Sequence, residues 1–294
     1  MSGKILTLQM IYKEGAETLE HAGIPDAKLD AWYLLEYVTG ISRASYFGDP
    51  KREVPKEQAE SYREVILRRA GHIPLQHITG EQEFMGLSFH VSEHVLIPRQ
   101  DTEILVEQAL GLLKQGEVPV GGSAPFTGRI LDLCTGSGCI LISLMKKCHG
   151  LTGTGCDISE KALKTARENG RRLQVEASWI QSDLFEQISE RFDLIVSNPP
   201  YIRTGVIEEL QEEVRLHDPW IALDGKKDGL YFYRRIIAES TGYIRDNGAM
   251  MFEIGHDQAE DVVRLMEEAG YTQIRVKKDL AGLDRVVTGR YNKR

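Results

Sequence analysis

At 294 residues, with 41% hydrophobic and 27% charged side chains, the chain has a globular composition and length for about two domains, which excludes a largely disordered protein. Its 36 Lys and Arg against 44 Asp and Glu leave a formal charge of −8, the wrong sign for a protein whose main work is gripping nucleic-acid phosphates. No apolar run reaches the roughly 18 residues of a membrane span, and the amino terminus carries acidic residues early without an apolar signal core, so a cytoplasmic chain with no membrane partner is expected.

The first 80 residues read as helices. Leu6, Met10 and Ile11 share one face of the first, Leu19 extends that surface, and Gly23 with Pro25 ends it. Asp26 caps a second helix that carries Trp32, Leu34, Leu35 and Val38 to a stop at Gly40. Pro55 opens a third, with Ala59, Tyr62, Ile66 and Leu67 inward and Gly71 at its end. Residues 1–73 are thus expected to form a small helical bundle. Residues 74–98 change pattern: apolar positions alternate around Met85-Gly86, the signature of a β-hairpin linking two domains. Residues 117–128, rich in Gly and Pro, read as a loop.

Residues 99–294 then alternate strand and helix. Strands are expected at 129–134, 151–159, 177–183, 192–201, 248–255, 271–279 and 284–291, with helices at 139–148, 161–173, 229–241 and 259–270. Such alternation predicts an α/β fold, a mostly parallel seven-stranded sheet with helices on both faces, whose ligand sits at the carboxyl ends of the strands.

Two motifs fall at those ends. Asp132-Leu133-Cys134-Thr135-Gly136-Ser137-Gly138 leaves one strand and opens one helix, and its glycines permit a sharp turn close to a ligand. Alone this is also a common structural turn. Asp157 ends the next strand about 20 residues on, where a carboxylate can accept both hydroxyl protons of a ribose. Together they indicate a nucleoside-containing cofactor. The turn is neither G-x-G-x-x-G nor a phosphate-binding G-x-x-x-x-G-K-[ST], which disfavours dinucleotides and nucleoside triphosphates. The second motif is Asn198-Pro199-Pro200-Tyr201, at the end of an apolar strand. Asn offers a carbonyl acceptor, the prolines leave carbonyls without competing donors, and Tyr gives a flat wall. The site presents acceptors to an NH2 group on a planar molecule. The four cysteines (Cys134, Cys139, Cys148, Cys156) match no zinc spacing and read as small buried hydrophobes of a reducing compartment.

Asn198-Pro199-Pro200-Tyr201, with DLCTGSG and GCDIS, resembles S-adenosylmethionine-dependent methyltransferases that act on planar amino nitrogens: adenine N6, cytosine N4 or the glutamine amide. IPRQDTE (97–103), PLQHITGEQEFMG (74–86), LHDPWIALDGKKDGLYFYRRI (216–236) and KDLAGLDRVVTGR (278–290) extend the likeness over nearly the whole chain to the peptide-chain release factor glutamine methyltransferases. The resemblance implies a Rossmann-like class I methyltransferase domain behind an N-terminal helical domain that docks the protein substrate. It also implies methyl transfer to N5 of the glutamine in a Gly-Gly-Gln motif, with release factors as partners, no direct nucleic-acid substrate and no metal. Asn198 Oδ1 and the Pro199 carbonyl would accept the amide hydrogens, with Pro200 beside them and Tyr201 packed on the amide plane. Cys134, Thr135, Gly136, Ser137, Gly138, Asp157, Asp183, Leu184 and Asn198 would contact S-adenosylmethionine. Asp132 has two readings, a strand-end cap or a partner for the methionine ammonium. Arg99 and Glu103 also have two, an ion pair or cap around Asp101 or a segment closing over the cofactor. Cys134 stands where the family usually has Gly, and its Cβ resists positive φ. The run EELQEEV (208–214) reads as a solvated helix face that could attract a basic partner loop, and Trp220 as packing. The rival readings are a ribosomal-protein glutamine methyltransferase, a DNA adenine-N6 methyltransferase, and a binding protein that keeps the fold.

Overall fold

The structure, a computed structural model, describes residues 6–114 and 128–292. The loop expected over 117–128 lies outside them but for Gly128. The elements in chain order are α1 (Leu8–His21), α2 (Ala27–Thr39), α3 (Arg43–Gly48), α4 (Lys56–Ala70) and α5 (Leu75–Thr79); the strands β1 (Glu81–Phe84) and β2 (Leu87–His90); then α6 (Gln100–Lys114), β3 (Arg129–Leu133), α7 (Cys139–Lys147), β4 (Thr152–Asp157), α8 (Glu160–Arg172), β5 (Ser178–Gln181) and β6 (Phe192–Ser197). They continue with α9 (Glu212–His217), α10 (Trp220–Leu223), α11 (Tyr231–Ser240), β7 (Ile244–Glu253), α12 (Ala259–Glu268), β8 (Tyr271–Lys278) and β9 (Asp284–Tyr291). The chain divides into two compact units, one of Met1–Glu81 with Gln211–His217 and one of Gln82–Leu210 with Asp218–Arg294.

The first unit is a helical bundle. Thr7 caps α1, its hydroxyl accepting from the Met10 amide, and Leu8, Ile11, Ala16 and Leu19 turn inward at helical spacing. Gly15 has a specific purpose: a Cβ there would lie 2.3 Å from the Tyr62 hydroxyl of α4. That hydroxyl donates to the Ala31 carbonyl of α2 at 3.0 Å, so one buried tyrosine ties three helices. Arg69 of α4 is buried against Asp30 of α2 at 2.7 Å and also reaches Glu213 of α9. The acidic run is therefore not wholly a solvated face: Glu213 offsets a buried cation, which cannot be left unpaired. Met10 and Leu67, expected inward, are exposed. Leu67 sits one position beyond Ile66, and α4 buries the 59-62-65-66-69 stripe that excludes it.

In the second unit the hairpin β1–β2 turns at Met85-Gly86, with Phe84 and Phe89 edge to face, 6.0 Å between centroids. The seven-stranded sheet runs β5-β4-β3-β6-β7-β9-β8. Its first five strands pair in parallel, and β9 is antiparallel to both β7 and β8. Buried on both faces, β3, β6 and the end of β7 are continuously apolar apart from a few functional residues. Leu131, Leu133, Met250 and Phe252 feed one core with α11 and α12. Ile130, Leu194, Val196, Ala249 and Met251 feed the other with α6, α7 and the hairpin. The order reverses at β3, which has β4 on one side and β6 on the other, the switch point where such sheets open a crevice.

Candidate functional site

The crevice is a cavity of about 310 Å³, within the range of small-molecule pockets. Cys134, Thr135, Gly136, Ser137, Asp157, Asp183, Leu184, Asn198 and Pro200 all line it. Gly138, Pro199 and Tyr201 are not among its lining residues. Gly138 instead caps α7 at φ +80, with a Cβ position 2.9 Å from the Trp179 ring.

The loop after β3 is wired to the end of β4. The Thr135 amide donates to the Cys156 carbonyl at 3.0 Å, and the Gly136 amide to Asp157 Oδ2 at 2.9 Å. Asp157 Oδ1 accepts from the Ser159 amide, also at 2.9 Å. Burial raises its pKa while these amides oppose the rise. Asn169 of α8 clamps the loop from behind, donating to the Ser137 and His90 carbonyls and accepting from the His90 amide. Cys134 adopts φ +58 despite its Cβ, at a cost of about 1–2 kcal/mol. Its thiol is pushed well up by burial and bonds to Ser197. Leu184, buried and lining the cavity, is also left-handed at φ +52; such strain collects at ligand sites. Asp183 is bound to Arg235 of α11 at 2.9 Å, so any ligand contact it makes is shared with that cation.

Two carboxylates lie on the sheet face covered by α6 and α7. Asp132 takes the Thr135 hydroxyl on Oδ2 at 2.6 Å, and its Oδ1 has no hydrogen-bond partner among the described residues. Burial raises its pKa to about 7. Glu253 ends β7. Ser197 pairs with Phe252, so Asn198 and Glu253 leave the sheet on adjacent strands. Glu253 Oε1 accepts from the Tyr201 hydroxyl at 3.2 Å. The Thr102 hydroxyl of α6 also hydrogen-bonds this carboxylate and favours its charge, while burial pushes the other way, to about 7. Thr102 in turn takes the Asn198 amide on Oγ1 at 3.3 Å. The Tyr201 ring therefore packs partly into the core with its hydroxyl turned to Glu253.

The turn from 198 to 201 is braced by the 216–236 stretch. Buried Gln258 donates to the Tyr201 carbonyl at 3.0 Å. Gly225 and Gly229 lie against Tyr201 so closely that a Cβ would come within 2.7 Å of its Cα and 2.4 Å of its carbonyl oxygen. The 278–290 stretch folds on Asp279, which accepts from the Ala281 and Leu283 amides and holds Arg285. Arg285 stands close enough to Glu253 to favour its ionised form. Arg99 pairs with buried Asp218 and lines the cavity, while Glu103 accepts from the Met85 amide. Trp220, expected as a packing residue, is about half exposed, and only Leu223 of α10 is buried. Thr102, Glu253, Gln258, Asn169 and Arg285 were not singled out by sequence. A carboxylate closing the apolar run GAMMFE was the one available signal.

The chain matches the family model of the PrmC N-terminal domain over residues 11–80 and that of the methyltransferase small domain over 120–215. It is 43% identical over 274 residues to a release factor glutamine methyltransferase of Agrobacterium fabrum, covering 92% of this chain and 93% of that one. It is 38% identical over 288 residues to one of Geobacter sulfurreducens, covering 98% of each. Among solved structures it is similar to a methyltransferase from Pyrococcus furiosus, with a TM-score of 0.51 at 14% identity over 71% of this chain and 90% of that one, a likeness of fold alone.

Proposed function

This chain is a member of the release factor glutamine methyltransferase family, and from that premise we propose that it methylates the side-chain amide nitrogen of the glutamine in the Gly-Gly-Gln motif of release factors. The methyl donor is S-adenosylmethionine, which supplies a methyl group already activated on a sulfonium. The residues fit it. Asp157, held by two backbone amides, faces the cavity as an acceptor for the ribose hydroxyls. Leu184 offers an apolar wall for the adenine. Asp132, whose Oδ1 has no hydrogen-bond partner among the described residues, stands behind Thr135 as a carboxyl group for the cationic methionine end.

The observation that carries the reading is that Asn198 lines the same cavity as Asp157 and Gly136. An amide nitrogen is a poor nucleophile because its lone pair is delocalised into the carbonyl. Asn198 Oδ1 and the Pro199 carbonyl accept its two hydrogens and hold the nitrogen toward the methyl group. These bonds strengthen as positive charge develops on nitrogen, so they favour the transition state over the bound substrate. Positioning at a separation of about 3–3.5 Å supplies most of the remainder.

Among the described residues no helix is long and apolar enough to cross a membrane, in keeping with a reaction in the cytoplasm, where release factors work. The test offers labelled S-adenosylmethionine with release factor, its Gly-Gly-Gln→Gly-Gly-Ala variant, a ribosomal protein fraction and duplex DNA. Label on release factor and none on the variant is expected. Label on the ribosomal fraction or on DNA alone overturns the acceptor while leaving the chemistry.

A further inference from the structure

We propose that Thr102 is a positioning residue that fixes which end of the Asn198 amide faces the substrate, with Glu253 setting its polarity. An asparagine can present either its oxygen or its NH2 to a site, and only the oxygen can accept from a substrate amide. Nothing in the turn itself decides between them. The decision comes from two residues remote in sequence. Above about pH 7 Glu253 is ionised, and an ionised carboxylate only accepts, so there it takes the Tyr201 proton at 3.2 Å and the proton of Thr102 beside it. The single Thr102 proton is thereby committed, and its oxygen is left to accept. It accepts from Asn198 Nδ2 at 3.3 Å, which turns Oδ1 away from Thr102 to the cavity that Asn198 lines.

The geometry suits a fixed relay. Thr102 is buried in the first turn of α6, and Glu253 is buried at the end of β7. Tyr201 stays protonated, since burial and the adjacent Glu253 both raise its pKa, so it remains a donor to the carboxylate. Arg285 and Asp101 are the other charged groups acting on Glu253, and Arg285 favours its ionised form. Thr102 also lines the cavity, and the role proposed for it is exerted through Asn198. The inference rests on the acceptor role given to Asn198 above.

The test is a set of variants assayed with release factor at saturating S-adenosylmethionine and at about pH 8, above the range in which Glu253 holds a proton. Thr102→Val keeps the shape and removes the hydroxyl; it is expected to lower kcat about 10- to 100-fold. Cofactor affinity, measured by titration, and the KM for release factor should stay within about twofold, because only transition-state bonding is lost. Thr102→Ser restores the relay and should restore kcat; a merely structural role would not single out the hydroxyl. Thr102→Ala serves if the valine variant does not fold. Asn198→Ala run alongside separates the two claims. If it retains turnover, the reading of Asn198 fails. If it loses turnover while Thr102→Val and Thr102→Ala keep theirs, or if Thr102→Ser is as slow as they are, the positioning role of Thr102 is overturned.

Discussion

The two loops that meet in the cavity are held in opposite ways. The 134–138 loop is fixed mainly from within one strand-helix-strand-helix unit, by its own backbone, by Asp132, by the end of the neighbouring strand and by Asn169 of α8, with Ser197 added from β6. The 198–201 turn is fixed from afar, by Thr102, Gly225, Gly229, Glu253 and Gln258, drawn from four separate stretches of chain. A loop braced mainly from within its own unit is less exposed to change elsewhere in the molecule. A turn braced from outside can be lost through residues that never meet a ligand.

Four changes would break or sharpen this contrast. The largest effect belongs to Asn198→Ala, which removes a transition-state acceptor; kcat should fall about 10²- to 10³-fold while cofactor affinity is retained. Next is Gly229→Ala. At φ +77 and with its Cβ 2.4 Å from the Tyr201 carbonyl oxygen, the new side chain must displace the turn. Chemical denaturation should show a loss of about 2–4 kcal/mol, and turnover should drop more than cofactor binding does. Asp157→Asn should do the reverse, weakening S-adenosylmethionine about 10-fold through a lost charged acceptor, with kcat at saturation little changed. A Gly229 variant that hurts cofactor binding as much as turnover would erase the distinction between the loops.

The smallest effect concerns pH. Glu253 has its pKa raised by burial from an ordinary 4.5 to about 7. Between those values the folded state holds a proton that the unfolded state has released, so its contribution to stability falls as pH rises through this window. Burial and Asp101 raise this value and Thr102, Arg285 and Tyr201 lower it, and burial is the largest influence. Glu253→Gln has no such slope. The melting temperature of the natural protein should therefore decline relative to this variant between about pH 5 and pH 8. Parallel melting curves would show that Glu253 carries no such proton.

How much was legible follows the same division. The strands around the cavity could be read because parallel strands covered on both faces are continuous apolar runs; β3 at Arg129–Leu133 falls within one residue of its expected 129–134. The cofactor loop was legible because its glycines and Asp157 lie within one strand-helix-strand unit. Thr102 was not, since a threonine one turn into a helix looks like any other until the fold sets it beside Asn198. The helix α6 is not among the elements the sequence predicts, where the IPRQDTE motif stands. Cys134 shows the opposite failure: its Cβ argued against positive φ, yet burial and the contact to Ser197 hold it at +58. Glu213 looks solvent-facing in sequence because nothing local reveals a buried arginine elsewhere in the chain.

That arginine has a consequence for how the gene can be cut and joined. The first compact unit is not one stretch of sequence: it includes residues 211–217, inserted far downstream, and Glu213 among them helps offset buried Arg69. A chimera that replaced only residues 1–81 would take Arg69 away from the Glu213 that helps offset it. What can be inherited as a module is a pair of segments, and recombination at a single point between them separates the pair.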